Sequence, residues 1–333
     1  MASVIEASQI ASDLQLIGTH DGTFHADELL AIAMLRALPQ FAGATIVRTR
    51  DQATLASCTV VVDVGGVYDV DRNRFDHHQR DFSCTMHELG ATTKLSSAGL
   101  VYRSYGAACI ESIVGTTVDL TAAAHAELFK RIYKTFIEAI DANDNGIECG
   151  EQLITVLTDL PSRVQHANPG WNQPRTPAAA NVAFADTLRW LQAEFETFVL
   201  RTATRWWPAR DVLLEAVNAR FRYHLSGQII VLAPYVPYED HLYEIEQEQE
   251  LQPVLFVLYE TTDESPVWRI KTVAEKMGSF TPRRQLPEAW AGLKGDELDA
   301  ATGLQGGVFV HAGRFIGAAS TKAAALAMAR AAL

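Results

Sequence analysis

The sequence predicts an α/β protein: a first domain on a mainly parallel sheet, a helical linker, and a smaller α+β domain at the C-terminal end. Three observations lead there. Short β-branched runs alternate with helical patterns through the N-terminal part, the pattern turns β-rich beyond Ser226-Gly227, and 333 residues exceed what one small hydrophobic core organises. The expected division is 1–205, ending in the linker helix, and 206–333.

Leu14 to Thr19 reads as a short buried strand. Asp27 to Leu38 follows at helical spacing through Leu29, Leu30, Ala33, Met34, Ala37 and Leu38, and stops at Pro39. Ala44 to Arg50 and Thr59 to Val64 are further strands, separated by Asp51 to Ser57, where Asp51 can cap a short helix. Strands alternating with helices imply parallel pairing with right-handed crossovers. His20, Asp63 and residues 76–78 then fall at strand ends on one edge of one sheet. Thr92 or Thr93 can cap a helix from Lys94 to about Gly106, and Thr121 a longer one through Phe129, Ile132, Phe136, Ile137 and Ile140.

Pro161 to Pro177 reads as a loop. Ala178 to Trp207 and Pro208 to His224 read as two helices broken at Pro208. Beyond them Gln228 to Ala233, Pro253 to Glu260, Trp268 to Ala274 and Val308 to His311 are strand candidates, closed by a helix from Thr321 to Leu333.

A net charge of −12 favours solubility and opposes a polyanion, but it is unevenly spread. Residues 1–150 hold 11 Lys+Arg against 19 Asp+Glu, whereas residues 261–333 hold 9 against 7, so a phosphate-binding surface is expected in the C-terminal part. Carboxylates concentrated in the first half suit a divalent cation. Cys58, Cys84, Cys109 and Cys149 show no Cys-x-x-Cys spacing and read as plain thiols. No apolar run reaches the roughly 18 to 20 residues that span a bilayer. Met1 to Leu14 carries Glu6 and Asp13 without Lys or Arg, unlike a secretory or mitochondrial leader, so an intracellular setting, cytoplasm or nucleus, is the expectation.

Four short clusters carry the chemistry. They are His20, His25 and Asp27; Asp63 after Val60-Val61-Val62; the triplet Asp76-His77-His78; and Asp141 with Asp144. Singly they are ordinary: His20 is a loop histidine and Asp27 a good first-turn residue. Asp63 is harder to dismiss, because a carboxylate ending a buried apolar strand is costly unless paired or metal-bound. Carboxylates at the C-terminal end of a helix, as at Asp141 and Asp144, oppose its dipole, and a cation would offset them. Imidazole and carboxylate ligands without thiolates favour manganese or magnesium. Two such cations about 3.5 to 4 Å apart, sharing a carboxylate, clamp the oxygens of phosphoryl transfer.

The order His…His-x-Asp, Asp, Asp-His-His, Asp resembles the motifs of the DHH phosphoesterase superfamily. GTHDGTFHADELLA, IVRTRD, VVDVGG, FDHHQR, TKLSSAGLVY, DNGI and GGVFVHAGRFIG more closely resemble the melanocyte proliferating gene family over nearly the whole chain. That resemblance implies a DHH-type domain holding two divalent cations, manganese expected and magnesium the alternative, and a second domain gripping substrate. It implies a 3′ to 5′ exonuclease on RNA in nucleus and mitochondrion, releasing nucleoside monophosphates from an RNA end or short oligonucleotide held between the domains. By position, His20, His25 and Asp63 would hold one metal, and Asp27, Asp63, His77 and Asp141 the other, with Asp63 bridging. Asp76 would orient an imidazole, and His78 would contact the scissile phosphate or assist proton transfer. One departure is visible: His25 stands where other branches place an aspartate, one residue further from His20.

Lys94 is a candidate for neutralising phosphate charge. Gly306-Gly307 resembles the superfamily's glycine-rich substrate loop, where backbone N–H groups approach an anion. Arg283, His311, Arg314 and Lys322 are further candidates for phosphate or a terminal nucleotide. Trp171, Trp206 and Trp207 read as packing residues rather than base-stacking platforms. Two other functions fit the same residues: a phosphohydrolase of pyrophosphate, short oligonucleotides or nucleotides, and a non-catalytic regulator binding nucleotides or protein.

Overall fold

The computed structural model describes residues 3–6, 9–11, 14–115, 117–147, 156–262 and 265–333. It divides into two compact units, Met1–Thr204 and Arg205–Leu333. Cys58, Cys84 and Cys109 are free thiols, and Cys149 lies outside the described residues. Among the described residues no helix is long and apolar enough to cross a membrane.

The first unit runs β1 (Val4–Ile5), β2 (Leu16–Thr19), α1 (Ala26–Arg36), β3 (Thr45–Arg48), α2 (Gln52–Ser57), β4 (Val60–Val62), β5 (Tyr68–Asp69) and β6 (Arg74–Phe75). Helices α3 (Ser97–Val114), α4 (Ala122–Ile132), α5 (Glu138–Asp144), α6 (Leu160–Ala167) and α7 (Pro177–Arg201) follow. The sheet order is β1-β3-β2-β4-β6-β5, and only the β5–β6 pair is antiparallel. Ile17 lies opposite Ile46 and Val60, and Val62 opposite Phe75, so β2, β4 and β6 end along one edge. Every residue of β2, β3 and β4 is buried, as a parallel sheet covered on both faces requires. Helix α1 is buried from Ala26 to Leu35 and packs on α3 and α7.

Local capping explains several boundaries. Asp51 accepts from Thr54 N–H at 2.8 Å and starts α2, and Thr121 accepts from Ala124 N–H at 3.2 Å and starts α4. Two expectations are corrected. Helix α3 starts at Ser97 with Ser96 as its N-cap, while Lys94 pairs with Thr85 in an isolated bridge and Thr93 bonds Glu138 instead. Residues 160–167 are helical because Asp159 caps them and Pro161 sits in the first turn, where its missing N–H costs nothing. Between α4 and α5, Tyr133–Ile137 form a π-turn.

The second unit runs α8 (Ala209–Asn218), β7 (Ile229–Leu232), α9 (Glu239–Glu248), β8 (Phe256–Glu260), β9 (Trp268–Thr272), α10 (Gly295–Thr302), β10 (Gly307–Val310), β11 (Ile316–Ala319) and α11 (Lys322–Ala331). The sheet order is β10-β11-β9-β8-β7, parallel only between β7 and β8. Alternation along each strand feeds two cores. Ile229, Phe256 and Leu258 join Met328 of α11 on one face, and Ile230 and Val257 join Leu213 of α8 and Leu242 of α9 on the other.

Candidate metal centre

Strands β2, β4 and β6 deliver His20, Asp63 and Asp76-His77-His78 to one edge, and α1 and α5 bring Asp27, Glu28 and Asp144 beside them. Together they line a cavity of about 1240 Å³ in the first unit, although Glu28 lies just beneath its surface. Asp63 is the centre of the arrangement. Its Oδ2 lies 3.3 Å from His20 Nε2 and its Oδ1 lies 3.2 Å from His77 Nε2. Its backbone is left-handed, φ 58°, a conformation uncommon outside glycine that aims the carboxylate as the strand ends.

Three groups of side chains bring ligand atoms within 4.8 Å of one another: His20, His25, Glu28 and Asp63; Asp63, His77 and His78; and Asp27, His77 and Asp144. Glu28 Oε1 is 3.2 Å from His20 Nε2, and Asp144 Oδ2 is 3.1 Å from His77 Nε2. Glu28 also accepts from His25 N–H at 2.9 Å, closing a capping box that ties the helix start to the centre. Ser97 Oγ donates to Asp27 Oδ2 at 2.7 Å, leaving Asp27 Oδ1 buried without a donor among the described residues.

The electrostatics call for a cation. Burial and the neighbouring Asp63 charge push the Asp27 carboxyl above its ordinary value. Burial, then the Asp27 and Asp63 charges, push Asp144 up to about 8, and burial raises Glu28 to about 8 despite its bond to His20. Burial disfavours charge on His20, but its bonds to Asp63 and Glu28 win and hold it up at about 10. Asp63 is held well below the usual carboxylate range: the His20 and His77 bonds outweigh its burial. A cluster of crowded, buried carboxylates in which Asp27 Oδ1 has no hydrogen-bond partner among the described residues fits a divalent cation.

Asp141 does not join this group. Its Oδ1 accepts from Ser96 N–H at 2.9 Å, Ser96 Oγ–H at 2.7 Å and Gly99 N–H at 3.1 Å, so it caps α3, and it is the Asp144 carboxylate that lies with Asp27 and His77. A Cβ at Gly99 would collide with that carboxylate. Glu28 is absent from the sequence candidates; its signal is a second buried carboxylate beside Asp27 in the first turn of a helix that is apolar from Leu29 to Leu35.

Asp76 orients His78. Its Oδ1 lies 2.7 Å from His78 Nδ1 and accepts from His78 N–H at 3.1 Å, while Oδ2 accepts from Gly66 N–H at 2.5 Å. The Asp76 bond, against partial burial, raises His78 to about 9, and 62% of its side chain is exposed. Lys94 lines the same cavity; Asn145 Nδ2 donates to its carbonyl at 2.9 Å. Arg48 lies behind the centre, donating to Gly22 O at 2.6 Å and His20 O at 3.3 Å, with Phe184 4.7 Å from its guanidinium.

In the second unit the expected substrate residues have the following places. Arg283 is committed internally, both terminal nitrogens donating to Glu246 at 2.8 Å and one to Val254 O at 3.0 Å. The Gly306 and Gly307 N–H groups donate to Asp299 at 3.0 and 2.7 Å, so the protein's own carboxylate fills the cradle expected for a phosphate. A Cβ on Gly307 would meet Asp299 and Leu298 at under 3 Å, which is why glycine stands there. His311 accepts from Gly313 N–H at 2.9 Å and is exposed, Arg314 bonds Gln285, and Lys322 lies over the Tyr223 and Trp268 rings at 5.3 and 5.5 Å. Trp206 stacks on His241 at 4.1 Å, as packing predicts, but Trp171 is 87% exposed.

Fold and site together define an α/β protein with a buried carboxylate and imidazole centre suited to divalent metal. Over residues 16–333 the sequence matches the family described as Uncharacterised protein family (UPF0160), MYG1_exonuc. It is 43% identical over 328 residues to MYG1 exonuclease of Homo sapiens, covering 95% of this chain and 85% of that protein. It is 42% identical over 328 residues to a MYG1 protein of Caenorhabditis elegans, covering 96% and 95%, and 38% over 331 residues to one of Saccharomyces cerevisiae, covering 94% of each. The chain belongs to the MYG1 exonuclease family. A solved structure of RecJ from Thermus thermophilus with Mn2+ shares 17% identity at a TM-score of 0.22, covering 96% of this chain and 52% of that one, too slight a likeness to bear on function.

Proposed function

We propose that this chain is a divalent-metal-dependent phosphodiesterase, an exonuclease that trims RNA in the 3′ to 5′ direction and releases nucleoside monophosphates. The observation that carries the reading is Asp63, whose two oxygens face His20 and His77 at 3.3 and 3.2 Å and so link the two halves of the centre. The relatives named exonucleases support it.

His20, His25, Glu28 and Asp63 would hold one cation, and Asp27, Asp63, His77 and Asp144 a second, manganese being expected and magnesium the alternative. When bound, such cations neutralise phosphoryl oxygens and make water acidic enough to attack at neutral pH. The chain's own groups do the rest. Asp76 occupies His78 Nδ1, so the opposite ring nitrogen is the one free to donate to the phosphate or to the leaving oxygen. Lys94 adds a fixed positive charge on the cavity wall. Replacing Asp63 or His77 by Ala should abolish manganese-dependent hydrolysis of labelled RNA; unchanged turnover refutes the assignment.

The net charge of −12 favours a second reading, a phosphohydrolase of short oligonucleotides or nucleotides, because long chains gain affinity through many phosphate contacts. Length dependence separates the two. An exonuclease shortens a long labelled RNA stepwise, whereas the alternative consumes only fragments of a few nucleotides.

A further inference from the structure

We propose that Arg50 is a substrate-phosphate contact at the mouth of the cavity, held in the resting protein by Asp21, whose place an incoming phosphate takes. The inference rests on the phosphodiester reading and names the residue that grips the anion.

The chain leaving β3 carries two arginines with opposite fates. Thr49 N–H donates to Thr19 O at 2.8 Å, prolonging the parallel pairing, so Arg48 and Arg50 both emerge beside the loop that holds His20 and His25. Arg48 turns inward beneath that loop and is 7% exposed. Arg50 remains at the surface with its side chain 65% exposed, lines the cavity, and donates from Nε to Asp21 Oδ1 at 3.1 Å.

The Asp21 side chain is itself 60% exposed, so the pair is surrounded by water and is easily exchanged. A phosphate offers the guanidinium two oxygens in the fork geometry that arginine matches. The position suits the chemistry as well. Arg50 and Asp21 line the same cavity as His20, Asp63 and His77, so an anion that displaces the Asp21 carboxylate enters the cavity of the candidate metal centre.

Charge favours the contact. The described lining contains Asp21, Asp27, Asp63, Asp76 and Asp144, against Arg50 and Lys94 as its side chains of fixed positive charge. Asp21 therefore acts twice against a phosphate: it repels the anion and occupies its partner. Removing Arg50 and removing Asp21 should move substrate binding in opposite directions, and the Asp21 effect should depend on Arg50.

The experiment measures KM and kcat for manganese-dependent hydrolysis of a labelled RNA by the full chain and by R50Q, D21N and the double variant, with manganese binding followed by calorimetry. R50Q should raise KM on the order of 10-fold with kcat and manganese affinity little changed. D21N should lower KM about threefold, and the double variant should keep the KM of R50Q. An unchanged KM in R50Q overturns the proposal, as does a D21N gain that persists without Arg50. If the wild-type chain leaves RNA intact, the exonuclease reading falls by itself, and the Arg50 site is read by titrating inorganic phosphate into the manganese-loaded protein: weaker binding by R50Q supports it, equal binding refutes it.

Discussion

Asp141 and Asp144 stand three positions apart on α5 and serve different masters. Asp141 Oδ1 accepts from Ser96 and Gly99 and pins the start of α3, whereas Asp144 Oδ2 lies 3.1 Å from His77 Nε2 in the candidate metal centre. Asp144→Asn should therefore weaken manganese binding by about 10-fold or more, while Asp141→Asn, which keeps an oxygen for α3, should change it little. Calorimetry on the two variants decides; equal losses would return Asp141 to the ligand set.

Asp141 also predicts how stability follows pH. Burial raises its carboxyl from an ordinary 3.8 to about 7, so the folded chain holds a proton that the unfolded chain releases. Its contribution is full below about pH 4 and is lost as pH rises through about 7. Thermal melts of the metal-free protein at pH 5 and 7.5 should show a larger loss of Tm for the wild type than for Asp141→Asn, and parallel slopes would contradict the assignment. Asp141→Ala, which strands the Ser96 and Gly99 donors, should cost about 1 to 3 kcal/mol at pH 5 and less at pH 7.5, where the wild type has lost the contribution of the bound proton.

Arg48 fixes the loop that carries two candidate ligands. Its guanidinium bonds both the His20 and the Gly22 carbonyls, and a lysine ammonium offers no planar fork to span them. Arg48→Lys should lower manganese affinity about 10-fold and speed hydrogen exchange across residues 20–25, with the fold retained. Exchange and affinity equal to the wild type would show that the loop holds itself.

The parts legible in the sequence are those whose causes are local. β2, β3, β4 and α1 are readable because they are mainly apolar and almost wholly buried, and the Asp51 and Thr121 caps because capping is a matter of three residues. The start of α3 was not, since Ser96 is stabilised by Asp141, 45 residues away. Nor was the choice between Asp141 and Asp144: the π-turn at Tyr133–Ile137 changes the helical phase just before them, and hence which carboxylate faces His77. Arg283 looked like a phosphate ligand because its partner Glu246 lies 37 positions earlier, on α9, a helix the pattern did not reveal.

Proton release is the sharpest consequence of the crowded carboxylates. With no cation bound, burial and neighbouring negative charge keep Asp144 and Glu28 protonated up to about pH 8, and Asp27 is raised in the same direction. A divalent cation binds the deprotonated forms, so loading the centre near pH 7 must expel protons, and affinity must climb as pH rises through about 8. Calorimetric titration of manganese in two buffers of different ionisation enthalpy should give binding enthalpies that differ in proportion to the protons released. Asp144→Asn, which carries no proton to lose, should reduce that difference. Identical enthalpies in both buffers would mean that neither these carboxyl groups nor His20, held at about 10, gives up a proton when metal arrives, and the crowding argument for a cation at this centre would fail.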